Sequence, residues 1–126
     1  MRNARFFLAA FAAIVAGGVG GSAWAADATA GQAVFKSQCS ICHSVQPGRN
    51  MIGPSLAGVV GRKAGQEPGF HYSAANKASG ETWDAATLDR YLTNPQAVVP
   101  HTLMTYGGLK DADKRANLIA YLETLH

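Results

Sequence analysis

Cys39-Ser40-Ile41-Cys42-His43 decides how the rest of this chain is read. The C-x-x-C-H spacing is the attachment signature of a covalently bound haem. Two thiols must add across two vinyl groups on one edge of a porphyrin, so they need a short, fixed separation. The next residue must then bring an imidazole under the iron, and neutral His is a good iron ligand. A C-x-x-C pair also occurs as a redox dithiol, as half of a zinc site or as a surface disulfide. The dithiol wants a βαβ pattern around it, which is not seen here. The zinc site lacks a second Cys pair, and His71, His101 and His126 are scattered downstream. The chain holds only 2 Cys, so one site accounts for both.

The first 25 residues read as a secretory signal peptide: Arg2 and Arg5, an apolar run from Phe6 to Val19, then the small-x-small pattern Ala23-Trp24-Ala25. That run of 14 residues falls short of the roughly 20 that span a bilayer, although an uncleaved anchor is the competing reading. Cleavage after Ala25 leaves residues 26–126 as one small domain, and cleavage after Ala26 is nearly equivalent. Export to the periplasm suits covalent haem attachment. Removing Arg2 and Arg5 from the 11 Lys and Arg leaves nine against 8 Asp and Glu, a net charge of +1. That excludes a nucleic-acid binder, which needs a strongly basic surface. A domain this short buries a modest core, so the cofactor is expected to form much of it.

Three segments read as helices. The first starts near Thr29, an N-cap candidate with Gln32 three residues on, and runs toward Cys39. The second spans Thr82 to Thr93, capped by Thr82, with Leu88, Tyr91 and Leu92 as its apolar stripe and Asn94-Pro95 as its stop. The third runs from Asp111 to Leu125, where Leu118, Tyr121, Leu122 and Leu125 repeat at helical spacing. Between the first two lies Ser44 to Glu81, rich in Gly and Pro and without strand alternation. A loop that long in a compact domain is expected to wrap something.

A second iron ligand would separate electron transfer from reactive chemistry. The candidates are Met51, His71, His101, Met104 and His126. Met51 lies too close to His43 to cross to the far face, whereas Met104 follows 61 residues later in a loop after Pro100. Met104 is favoured on these grounds, with His71 and His101 remaining open.

The ordered motifs Gly53-Pro54-Ser55-Leu56, Gly61-Arg62-Lys63, Gly69-Phe70-His71-Tyr72, Ala75-Asn76-Lys77 and Thr82-Trp83 accompany this site. Tyr91-Leu92-Thr93-Asn94-Pro95, Pro100-His101-Thr102-Leu103-Met104 and Leu118-Ile119-Ala120-Tyr121-Leu122 complete the series. Over essentially all of the mature length the chain resembles the class I cytochromes c of mitochondrial and α-proteobacterial type. The resemblance implies an all-α fold, the small cytochrome c fold, with three main helices and long loops wrapped around one covalent haem. It implies haem c on Cys39 and Cys42, with His43 and Met104 as iron ligands. Pro54 would accept a hydrogen bond from His43, and Tyr91 would bond the Met104 sulfur. Arg62, Tyr72 and Trp83 would hold one haem propionate; Thr102 and Asn76 would support the other and an ordered water. Gly31, Phe35, Leu118 and Tyr121 would form the crossing of the terminal helices.

The implied function is a monomeric periplasmic single-electron carrier of a respiratory chain, not an enzyme. Its partners would be a quinol–cytochrome c reductase, a terminal oxidase or a periplasmic dehydrogenase or reductase, with membranes met only through them. The rival is a peroxidase-like or gas-binding haem protein with a labile Met. Two departures stand out. Gln38, Gln96, Ala97 and Leu103 occupy places where mitochondrial members carry docking lysines, leaving Lys36, Lys63, Lys77 and Lys110 scattered, so electrostatic steering is expected to be weak. His101 stands where glycine is usual, and Tyr106 where phenylalanine is.

Overall fold

The computed structural model describes residues 25–126. The expected signal peptide lies outside the described residues except for Ala25. Five helices follow one another: α1 (Ala28–Gln38), α2 (Ala74–Ala78), α3 (Ala85–Thr93), α4 (Pro95–Val98) and α5 (Ala112–Leu122). No strand occurs among the described residues; a single antiparallel bridge joins Lys63 and Thr82. The fold is the small all-α arrangement expected, with α2 and α4 as two short additions to three longer helices.

The caps sit differently from the expectation. Asp27, not Thr29, caps α1: its carboxylate accepts from the N–H groups of Thr29 at 2.8 Å and Ala30 at 3.3 Å. Asp84, not Thr82, caps α3 by accepting from Thr87 N at 2.7 Å. In both places a carboxylate satisfies orphan amides and complements the helix dipole better than a hydroxyl. Thr82 is drawn instead into the bridge to Lys63. The last helix starts after its expected cap, Asp111, but ends at Leu122 rather than Leu125. There Asn94-Pro95 does end α3, and Pro95 then serves as the first residue of α4, where its missing N–H costs nothing.

The three longer helices pack as a unit, α5 lying against both α1 and α3. At the α1–α5 crossing a Cβ on Gly31 would lie 1.8 Å from the carbonyl oxygen of Asn117, so only glycine permits this approach. One turn on, the rings of Phe35 and Tyr121 meet with centroids 5.6 Å apart, and Leu118 beside them is completely buried. Asn117 also accepts from the N–H of Asp27 at 2.7 Å, tying the start of α1 to the middle of α5. On the other side of α5, Arg115 donates to Asp89 of α3 at 2.7 Å and to the Leu109 carbonyl at 2.9 Å. This triangle of helices leaves the Ser44–Glu81 loop and the Val99–Leu109 segment to close a cavity against α3.

Candidate cofactor site

A cavity of about 370 Å³ opens between these parts, within the roughly 300–1,000 Å³ usual for cofactor sites. The C-x-x-C-H motif forms one wall because α1 ends at Gln38 and the chain continues in a tight turn. Backbone bonds from Cys42 N at 3.1 Å and His43 N at 3.0 Å both return to the carbonyl of Cys39. The turn places Cys39, Cys42 and His43 together on the cavity, and no disulfide joins the two cysteines. Before any attachment to a cofactor, burial and the neighbouring Cys42 sulfur push the Cys39 thiol up to about 11.

The loop that follows folds back onto the motif. Gly53 N donates to Cys42 O at 2.8 Å, and Leu56 N donates to Ser44 O at 2.9 Å. A Cβ at Gly53 would lie 2.3 Å from the His43 ring, so glycine here lets backbone flank the imidazole. The next carbonyl, that of Pro54, lies 2.7 Å from His43 Nδ1. That bond fixes the tautomer with the proton on Nδ1 and leaves the Nε2 lone pair for a metal. Burial lowers the His43 pKa, the Pro54 bond opposes this, and the charge of Arg62 lowers it further. The outcome is a neutral imidazole, the form that ligates.

Of the five candidates for a second ligand, Met104 and His71 line the cavity; Met51, His101 and His126 do not. His71 is exposed, whereas Met104 is half-buried and packs against the core. Tyr91 of α3 donates to Met104 Sδ at 3.4 Å, and its hydroxyl lies 3.3 Å from Thr102 Oγ1. Thr102 in turn accepts from Met104 N at 3.3 Å, so two hydroxyls hold this thioether loop. Burial raises the Tyr91 pKa, which keeps its phenol a donor. Trp83 stacks obliquely on Tyr91, centroids 4.6 Å apart, and so fixes the ring that carries that hydroxyl.

The far wall carries Arg62, Tyr72 and Asn76. Arg62 donates through Nη1 to Ala57 O at 3.2 Å and Glu67 Oε2 at 2.7 Å, and through Nη2 to Ser55 O at 3.0 Å. Its Nε is buried without a hydrogen-bond partner among the described residues, as is Asn76 Oδ1. A native fold rarely leaves such groups unpaired. An apolar cavity with two thiols at one edge, a neutral imidazole and an orphaned guanidinium N–H fits a porphyrin bearing vinyl groups, an iron and carboxylates.

Three residues take parts in the site that the sequence did not assign to them. Glu67 pairs with Arg62 from within the irregular loop, where no periodicity marks it. Gln96 donates to Thr102 O at 3.1 Å and accepts from His101 N at 3.1 Å, clamping the Met104 loop from α4. Tyr106 donates its hydroxyl to Gln38, joining that loop to the end of α1.

A sequence model of the family described as cytochrome c matches residues 28–126. Among curated relatives, cytochrome c2 of Rhodomicrobium vannielii is 56% identical over 107 residues, covering 83% of this chain and 85% of the relative. Cytochrome c2 of Rhodopila globiformis is 50% identical over 105 residues, 83% of this chain and 99% of its own length. Among solved structures, cytochrome cH from Methylobacterium extorquens superimposes with a TM-score of 0.73 at 44% identity, covering 78% of this chain and 98% of that one.

Proposed function

Since the chain belongs to the cytochrome c family and carries one haem c on Cys39 and Cys42, we propose that it is a periplasmic one-electron carrier with His43 and Met104 as its axial ligands. The observation that carries this is the pairing of His43 and Met104 on one cavity, each oriented by a hydrogen bond from another segment. When bound, haem supplies an iron that alternates between ferrous and ferric states and so takes up and gives back one electron.

The chain's own residues make that exchange easy. Pro54 holds the His43 ring in one tautomer, and Tyr91 and Thr102 hold the Met104 loop, so neither ligand has to move between oxidation states. A thioether is a soft donor that favours the ferrous state, and burial disfavours the extra ferric charge. Both raise the potential, suiting a place late in a respiratory chain. Arg62, Tyr72 and Trp83 are assigned to one propionate, and Asn76 and Thr102 to the other and its water. The unpaired Arg62 Nε supports the first assignment.

Periplasmic location is supported by the pattern of residues 1–25 and by the attachment motif. Among the described residues no helix is long and apolar enough to cross a membrane. The partners are proposed to be a quinol–cytochrome c reductase, a terminal oxidase or a periplasmic dehydrogenase or reductase. An optical spectrum with a redox titration tests the reading. A single reversible one-electron wave with a His/Met spectrum, and little binding of carbon monoxide by the ferrous protein at neutral pH, is expected. Rapid, tight carbon monoxide binding would instead identify a ligand-binding haem protein.

A further inference from the structure

Arg62 and Tyr72, two of the three side chains assigned to one propionate, are both organised by a residue outside that set. Glu67 accepts from Arg62 Nη1 through Oε2 at 2.7 Å. Its backbone N–H donates to the Tyr72 hydroxyl oxygen at 3.1 Å. With its oxygen occupied as an acceptor, Tyr72 has its own O–H proton to give elsewhere. The ion pair is well sheltered, with 14% of the Arg62 side chain and 10% of the Glu67 side chain exposed. Such shelter leaves the two charges poorly screened by salt. Three carbonyl or carboxylate oxygens hold the terminal nitrogens of Arg62, those of Ser55, Ala57 and Glu67, while the buried Nε remains unpartnered on the cavity wall.

We infer that Glu67 is a positioning residue that shares Arg62 with the haem carboxylate, aiming the guanidinium at the cofactor while cancelling most of its charge toward the iron. The inference rests on the assignment of Arg62 to a propionate made above. A ferric centre carries one positive charge more than a ferrous one, so an uncompensated cation nearby disfavours oxidation. A lone buried Arg62 would therefore raise the reduction potential. The carboxylate of Glu67 holds it down. The Tyr72 contact uses the backbone of residue 67, so it survives replacement of the side chain.

The test is the midpoint potential of the haem-loaded protein in Glu67→Gln and Glu67→Ala. Gln keeps an oxygen for Arg62 Nη1 and removes the charge; Ala removes both. Both variants are expected to shift to higher potential, with the His/Met spectrum retained and the shift preserved in high salt. Glu123→Gln, an exposed carboxylate at the end of α5, is expected to leave the potential where it was. An unchanged potential in Glu67→Gln with its spectrum intact, or a shift in Glu67→Ala alone, overturns the role given to Glu67. A wild-type protein without a His/Met haem spectrum would instead overturn the assignment on which it rests. Should Glu67→Gln not fold, the salt-independent shift in Glu67→Ala decides alone.

Discussion

The α1–α5 crossing and the cavity wall are built on opposite principles. At the crossing, Gly31, Phe35, Leu118 and Tyr121 bring two backbones into contact, and the surfaces fill each other. Along the wall, Arg62 Nε and Asn76 Oδ1 are buried with no partner among the described residues, and the apolar side chains border a cavity as well as one another. The crossing is finished by the chain. On the function proposed here, the wall is finished by haem. A small domain with one modest core can thus spend its regular helices on a self-sufficient joint and leave its irregular loops to be ordered by a cofactor.

That division predicts substitutions that damage one side and spare the other. Gly31→Ala should break the crossing. Alanine favours a helix over glycine by about 1 kcal/mol, but its Cβ would meet the Asn117 carbonyl, backbone that cannot swing aside. Overpacking of this kind costs about 3 kcal/mol or more, a fall of well over ten degrees in thermal midpoint for a domain this size. The His/Met spectrum of the folded fraction should be unchanged. Met104→Ala should do the reverse, lowering the potential by a few tenths of a volt, out of the ~0.8 V that axial ligands span. It should also open the iron to carbon monoxide. If potential and ligand binding stay as they were, Met104 is not the ligand and His71, which also lines the cavity, takes its place.

Tyr91→Phe should sharpen the contrast. The ring still packs on Trp83, but the hydroxyl contacts to Met104 and Thr102 are lost, at about 1 kcal/mol by denaturant titration. His101→Gly should stabilise the same loop by up to about 1 kcal/mol, since His101 sits at φ 66°, a left-handed conformation that costs side-chain-bearing residues energy. Its ring is exposed, so no packing is lost. The smallest effect belongs to Asp84. Its carboxyl is held below the ordinary 3.8, first by the Thr87 amide. The stabilisation is complete above that value and is lost as pH falls from there through the lowered folded-state value. Asp84→Asn keeps a capping oxygen and should flatten that acid limb of the stability curve, read from unfolding at several pH values.

The sequence was most legible where chemistry or periodicity is local. C-x-x-C-H marked the haem edge, the i, i+3, i+4 pattern marked the last helix, and the ordered motifs placed the chain among the cytochromes c. It misplaced two caps because Asp27 and Asp84 compete with nearby threonines, and only the directions of the backbone amides decide between them. The short helix α2 left no periodic signal in a Gly-rich loop, since five residues are too few to show one.

Covalent chemistry is written in neighbouring residues, so the sequence by itself determined the cofactor, its two anchoring thiols and the all-α class. Contacts between distant residues are not written that way. Only the tertiary structure decided that Glu67 takes hold of Arg62 and that Gln96 clamps the Met104 loop. Each of these depends on how an irregular loop closes in three dimensions, where hydrogen-bond geometry rather than spacing selects the partner.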